Sequence, residues 1–195
     1  MLPISISSDI ELTLVSPSLA PEYLAIVEAQ RDYLGQWLQW PHLDLDEAFF
    51  VGFIEGCRRE YAAGASMACA MLYQGQLVGN IGLKEINNAE RKAEIGYWLS
   101  QDFQGLGIIS QSLQALLTHA FTQLDLDKVE LAIATGNLAS RRVAERNGFA
   151  FSHIVANAEQ IQGRSLDHAW YRINRENWSA TKQELTSKSK PADVA

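Results

Sequence analysis

Residues 104–108, Gln-Gly-Leu-Gly-Ile, lie between a strand-like run, AEIGYWLS (93–100), and a helix-like run, QSLQALLTHAF (111–121). Two glycines one residue apart at such a junction constrain this chain more than any other feature. The helix that follows carries Ile109, Leu113, Leu116, Leu117, Ala120, Phe121 and Leu124 at spacings of three and four, a stripe that faces a core. The next run, KVELAIAT (128–135), reads as a buried strand, so the segment is β-α-β and demands a parallel crossover. The glycines themselves admit two readings. They form a tight connection, or they let backbone approach a phosphate at a helix entrance, where unpaired N–H groups and the helix dipole favour an anion. A dinucleotide-binding fold is disfavoured, because Ser110 stands where Gly-x-Gly-x-x-Gly needs its third glycine. No Gly-Lys-Ser/Thr occurs, which excludes a Walker loop.

The rest of the chain supplies partners for that unit. A first strand is predicted over 10–17, then a helix opened by Pro21 and running to 38, then a helix over 44–63 with Asp44 as its cap and Gly64 as its stop. Residues 66–87 read as two strands around a Gln74-Gly75 turn. A short helix over 137–148 has Asn137 as its cap and Asn147-Gly148 as its stop. Two last strands, 149–160 and 165–174, join through Gly163. The consecutive strands of 66–100 imply an antiparallel meander, and the whole implies an α/β chain with a mixed, mostly antiparallel sheet and helices on both faces. Residues 1–178 are expected to form one domain, and the polar segment 179–195 a disordered tail.

Composition narrows the function classes. A net charge of −7 argues against duplex nucleic acid as a partner, so any phosphate site has to be built locally from N–H groups and a few cations. No apolar run reaches membrane-spanning length, and the first residues lack the pattern of a signal peptide. Cys57 and Cys69 show neither a disulfide framework nor a metal spacing; both read as small buried hydrophobes, with the cytoplasm as the default setting. His42, His119, His153 and His168 show no metal-ligand spacing, and no metal is expected.

The run AEIGYWLSQDFQGLGIIS, followed by NLASRRVAERNGF, resembles the GNAT superfamily of acetyl-CoA-dependent N-acetyltransferases. In that family Gln/Arg-x-x-Gly-x-Gly/Ala wraps the pyrophosphate of coenzyme A. This chain presents Gln104, Gly105, Leu106, Gly107, Ile108 and Ile109, with isoleucine in the last position instead of Gly or Ala. The longer wording through Ser110 to Leu116, with Tyr33-Leu34, Trp37-Leu38 and Trp40-Pro41 upstream, is similar to the RimL-type branch, the ribosomal-protein-serine N-acetyltransferases. The resemblance covers about residues 10–175. It implies the GNAT fold, acetyl-CoA as co-substrate, and direct attack by an amine in a ternary complex. It also implies a protein acceptor, the N-terminal serine of the ribosomal stalk protein, and a homodimer. A small amine as acceptor and a non-catalytic acyl-CoA-binding module are the alternatives.

The same resemblance assigns candidate roles. Glu159, in ANAEQIQG, aligns with the branch's general base; without the resemblance it reads as a solvated hairpin glutamate. Ser140 aligns with the acid beside the sulfur, and otherwise sits in the first turn of a capped helix. Asn137 either caps that helix or contacts the pantetheine amide. Backbone groups of Tyr97, Trp98 and Leu99 are expected along the pantetheine and the thioester oxygen, where N–H donors stabilise developing negative charge. Their side chains read as ordinary sheet aromatics and aliphatics. Ser110 and Gln111 reach phosphate oxygens or form a polar helix face, and Arg141 and Arg142 neutralise phosphate or stay solvated. Trp37 and Trp40 line the acceptor cleft or pack as a lid. An acidic acceptor would need a local basic patch, for which Arg58-Arg59 and Arg91-Lys92 are the candidates.

Overall fold

The computed structural model describes residues 3–179. Its sheet has eight strands in the order β1-β2-β3-β4-β5-β6-β8-β7. Strands β1 (Ile4–Ser5), β2 (Ile10–Leu14), β3 (Met67–Tyr73), β4 (Gln76–Asn87) and β5 (Lys92–Leu99) pair antiparallel, each beside the next. The Gln74-Gly75 turn has positive φ at both residues, 51° and 80°, which matches the twist of a two-residue hairpin. From β5 the chain crosses through α4 (Ile108–Thr122) into the parallel strand β6 (Lys128–Ala134). It then passes through α5 (Leu138–Arg146), and the hairpin β7 (Ala150–Ile161) and β8 (Arg164–Asn174) completes the sheet, with β8 beside β6.

Helices cover both faces. On one, the α4 stripe buries Ile108, Leu113, Leu116, Leu117, Ala120 and Phe121 against Leu12, Ile81, Ile95 and Val129. Burial of each such aliphatic is worth about 1.5–3 kcal/mol, so α4 is anchored along its length and its N-terminus is held in a fixed place. On the other face, α1 (Ala20–Ala29) and α3 (Glu47–Ala62) pack Tyr23, Val27, Phe50 and Ile54 over Ala70 and Leu77.

Several details depart from the sequence expectation. The helix predicted over 21–38 ends at Ala29 and resumes as the short α2 (Arg31–Leu34). Gln30 breaks it at φ −131° and ψ 27°, and its side-chain amide donates to Ser100 Oγ at 2.8 Å and accepts from the Gln101 N–H at 2.8 Å. These tertiary bonds override the helical periodicity. The cap of α3 is Asp46, which accepts from the Phe49 N–H at 2.8 Å, and not Asp44. Cys69 is buried, and burial pushes its thiol up to about 12, whereas Cys57 is only half-buried. A helical turn covers 175–179 and buries Trp178. The remainder of the tail, 180–195, lies outside the described residues. Among those residues no helix is long and apolar enough to cross a membrane, and no group of three His, Cys, Asp or Glu is placed to hold a metal.

Candidate active site

Strand β5 pairs with β4 as far as Leu99, but with β6 only over Lys92–Glu94. Beyond Glu94 the two parallel strands part, so one edge of 95–99 has no strand across it. A cavity of about 900 Å³ opens at this parting. Tyr97, Trp98 and Leu99 line it.

The glycines form the mouth of α4. Gly105 and Gly107 take φ values of +79° and +73°, a region that costs L-residues other than glycine free energy. Gly107 is the helix N-cap, and no side chain caps this turn. The first N–H groups of α4 therefore keep the unpaired character of any helix start, at the positive end of the dipole. Gln104, Gly105, Gly107, Ile108, Ile109, Ser110 and Gln111 all line the cavity. Leu106 does not; its side chain is 48% exposed. Ile108 and Ile109 turn their side chains into the core, leaving their backbone to the cavity. That burial explains why an isoleucine is tolerated where the family pattern has Gly or Ala. Gln104 donates through its side-chain amide to the Tyr33 hydroxyl, joining the cradle to α2.

The opposite wall is the entry to α5. Asn137 caps the helix, its Oδ1 accepting from the Ser140 N–H at 3.1 Å, and it lines the cavity as well. The Ser140 hydroxyl is 2.7 Å from the Tyr97 hydroxyl. No local sequence pattern announces this pairing: the two residues are 43 apart, and periodicity alone reads the Tyr97 side chain as a sheet aromatic. Arg141 turns away, its guanidinium donating to the Tyr171 hydroxyl at 2.9 Å and the Thr135 carbonyl at 3.1 Å. Arg142 and Arg146, one turn apart on α5, line the cavity instead. Arg146 reaches Ser110 Oγ at 3.4 Å, on the first turn of α4.

The remaining candidate residues come from segments distant in sequence. Trp37 lines the cavity and lies over Gly136, where an added Cβ would come within 3.2 Å of the indole ring. Trp40 does not line the cavity; its ring meets Trp98 and Phe50 edge-on at centroid distances of 6.0 and 6.1 Å. Trp40 is a packing residue behind the wall. Glu159 lies on β7, outside the cavity lining, with its carboxylate 3.2 Å from His168 Nε2 on β8. Its hairpin is tied to the Trp37 segment by two hydrogen bonds, Gln39 Nε2 to the Gln160 carbonyl at 3.3 Å and Arg164 Nη2 to the Gln36 carbonyl at 3.2 Å. No local pattern in the sequence pairs His168 with Glu159; the β7–β8 hairpin brings them together. The proposed basic patch at Arg91-Lys92 is neutralised: Arg91 pairs with Asp125 and Asp127, and Lys92 with Glu90. Arg58 and Arg59 lie on α3, outside the cavity lining.

A parted pair of parallel strands, a glycine-entered helix and a capped second helix around one cavity define an acyl-CoA-dependent transferase. The family model described as acetyltransferase (GNAT) domain matches residues 9–150, and the chain belongs to that family. It is an acetyl-CoA-dependent N-acetyltransferase. Among its relatives, the ribosomal-protein-serine acetyltransferase of Escherichia coli (strain K12) is 30% identical over 156 residues, 80% of this chain and 87% of the relative. YdaF of Bacillus subtilis (strain 168), a candidate ribosomal N-acetyltransferase, is 31% identical over 183 residues, 93% of this chain and 100% of the relative. Among solved structures, the RimL ribosomal L7/L12 alpha-N-protein acetyltransferase in complex with coenzyme A superposes with a TM-score of 0.85 at 30% identity. That superposition covers 88% of this chain and 97% of the other.

Proposed function

We propose that this enzyme transfers acetyl from acetyl-CoA to the N-terminal α-amine of a ribosomal protein, with serine as the first residue. The observation that carries the reading is the match in sequence and fold to enzymes named for that acceptor, across most of both chains. The diphosphate of the cofactor lies on the N–H groups of Ile108, Ile109 and Ser110, and the pantetheine arm enters beside Tyr97–Leu99, where β5 has no strand across it. Glu159 removes a proton from the attacking amine and Ser140 gives one to the departing thiolate. An α-amine has a reference pKa near 8, about two units below a lysine side chain, so a carboxylate acting directly or through water is a sufficient base. The acceptor enters from the side of Trp37. The reading includes a homodimer and a cytoplasmic setting.

A second reading, a small cationic amine as acceptor, is favoured by the net charge of −7, which attracts a polycation and repels an acidic protein. The test is incubation with acetyl-CoA and either a Ser-initiated stalk-protein peptide or a panel of polyamines, read by mass spectrometry. Acetylation at the peptide α-amine is the expected result. Acetylation of the polyamines alone removes the ribosomal reading.

A further inference from the structure

We propose that Tyr97 is the proton source behind Ser140, donating through the serine hydroxyl when coenzyme A departs. The inference rests on the reading of Ser140 as the group beside the sulfur. A primary alcohol acting alone would be left as an alkoxide, a far stronger base than the thiolate it protonates. A phenol behind it lessens that difficulty, because the serine oxygen regains a proton as it gives one up and the charge comes to rest on a far weaker base than an alkoxide.

The structure supplies the parts. Tyr97 and Ser140 both line the cavity, and their hydroxyls are 2.7 Å apart. Both are fixed. Ser140 is held by the bond from its N–H to Asn137 Oδ1, and Tyr97 by its place in β5 opposite Ile81 and by packing against the core under α4. The tyrosine hydroxyl also lies 3.4 Å from the Ser140 carbonyl, a longer alternative contact that leaves the hydroxyl pair the stronger bond. Burial pushes the Tyr97 hydroxyl up to about 12, so it holds its proton throughout the physiological range. The Ser140 hydrogen bond and the charge of Arg146 act in the opposite direction and favour the phenolate as it forms.

The step balances. The thioester C–S bond breaks and its electron pair stays on sulfur. Sulfur takes the Ser140 proton, Ser140 takes the Tyr97 proton, and solvent returns to Tyr97 the equivalent of the proton that the amine released on attack.

The test is the single-turnover rate of acetyl transfer, with a Ser-initiated peptide and spermidine run in parallel as acceptors. The proteins are the parent, Tyr97→Phe, Ser140→Ala, Ser140→Thr and the Tyr97→Phe/Ser140→Ala pair, each checked for coenzyme A affinity by calorimetry. Tyr97→Phe is expected to slow transfer roughly 10- to 100-fold, within the usual range for a positioned acid, with coenzyme A affinity within about threefold of the parent. The double variant is expected to be no slower than Ser140→Ala, since the two act as one unit, and Ser140→Thr to keep most of the rate. In mixtures of H₂O and D₂O the parent rate should bow with deuterium fraction, as two moving protons require, and Tyr97→Phe should make it linear. If Ser140→Ala is slow and Tyr97→Phe matches the parent, the relay is overturned while the serine assignment stands. If Ser140→Ala matches the parent, the serine assignment and the relay both fall. A slow Tyr97→Phe whose rate still bows reduces Tyr97 to a positioning residue and overturns the proton transfer.

Discussion

The proposed cofactor side and the proposed acceptor side of the site are built by different means. The cofactor side is continuous chain: β5, the two glycines and the first turn of α4 follow one another in 19 residues of sequence, 92–110, and the groups it offers in the proposed function are backbone. The proposed acceptor side joins Trp37 and Gly136, at the cavity, to the hairpin of Glu159 and His168, outside its lining, through side-chain contacts across the chain. Backbone sites tolerate changes in side chain but not in φ. Side-chain sites tolerate backbone drift but not loss of a functional group. A mutation on one side should therefore leave the other side's constant unchanged.

The largest expected effect is on the acceptor side. Glu159→Gln is predicted to lower kcat about a hundredfold or more, within the range of general base catalysis, with the coenzyme A Kd unchanged by calorimetry. A change in Kd instead would place Glu159 in the cofactor site and blur the division. Next comes the cradle. Gly107→Val puts a β-branched residue at φ +73°, a strain of about 1–3 kcal/mol, which either distorts the turn or destabilises the fold. Coenzyme A affinity should fall about tenfold or more, since 1.4 kcal/mol is a factor of ten, while the acceptor KM holds. Replacing Arg142 and Arg146 with Gln should weaken coenzyme A binding roughly three- to tenfold at low salt and less at high salt, because exposed charges are screened. Titrations at two ionic strengths measure it. The smallest effect belongs to neither side: Asp46→Ala removes the α3 cap, lowering stability by about 1 kcal/mol in denaturant unfolding with both kinetic constants intact.

The same division explains how much of the molecule was legible in its sequence. The meander, the crossover and the mouth of α4 follow from local signals: alternation, a three-four stripe, positive-φ glycines. The Gln74-Gly75 turn and the Asn137 cap were readable for the same reason. Where two local signals compete, sequence cannot choose between them, as with Asp44 and Asp46 two residues apart before one helix. Where a distant partner decides, local signals mislead. Gln30 interrupts a helical pattern because Ser100 and Gln101 hold its side chain. The Tyr97 hydroxyl finds its partner because α5 brings Ser140 to it. Only the family resemblance marks Glu159, and no local signal marks its partner His168, because the hairpin register alone brings the two together. Trp40 lies three residues from Trp37, yet only the latter faces the cavity.

Amide hydrogen exchange across residues 105–111, with and without coenzyme A, tests the backbone cradle most directly. Slowed exchange at Ile108, Ile109 and Ser110 on binding, with the hairpin 150–174 little changed, is the predicted result. Saturable coenzyme A binding that leaves those three amides exchanging as before would show that the diphosphate lies elsewhere, and would contradict the account.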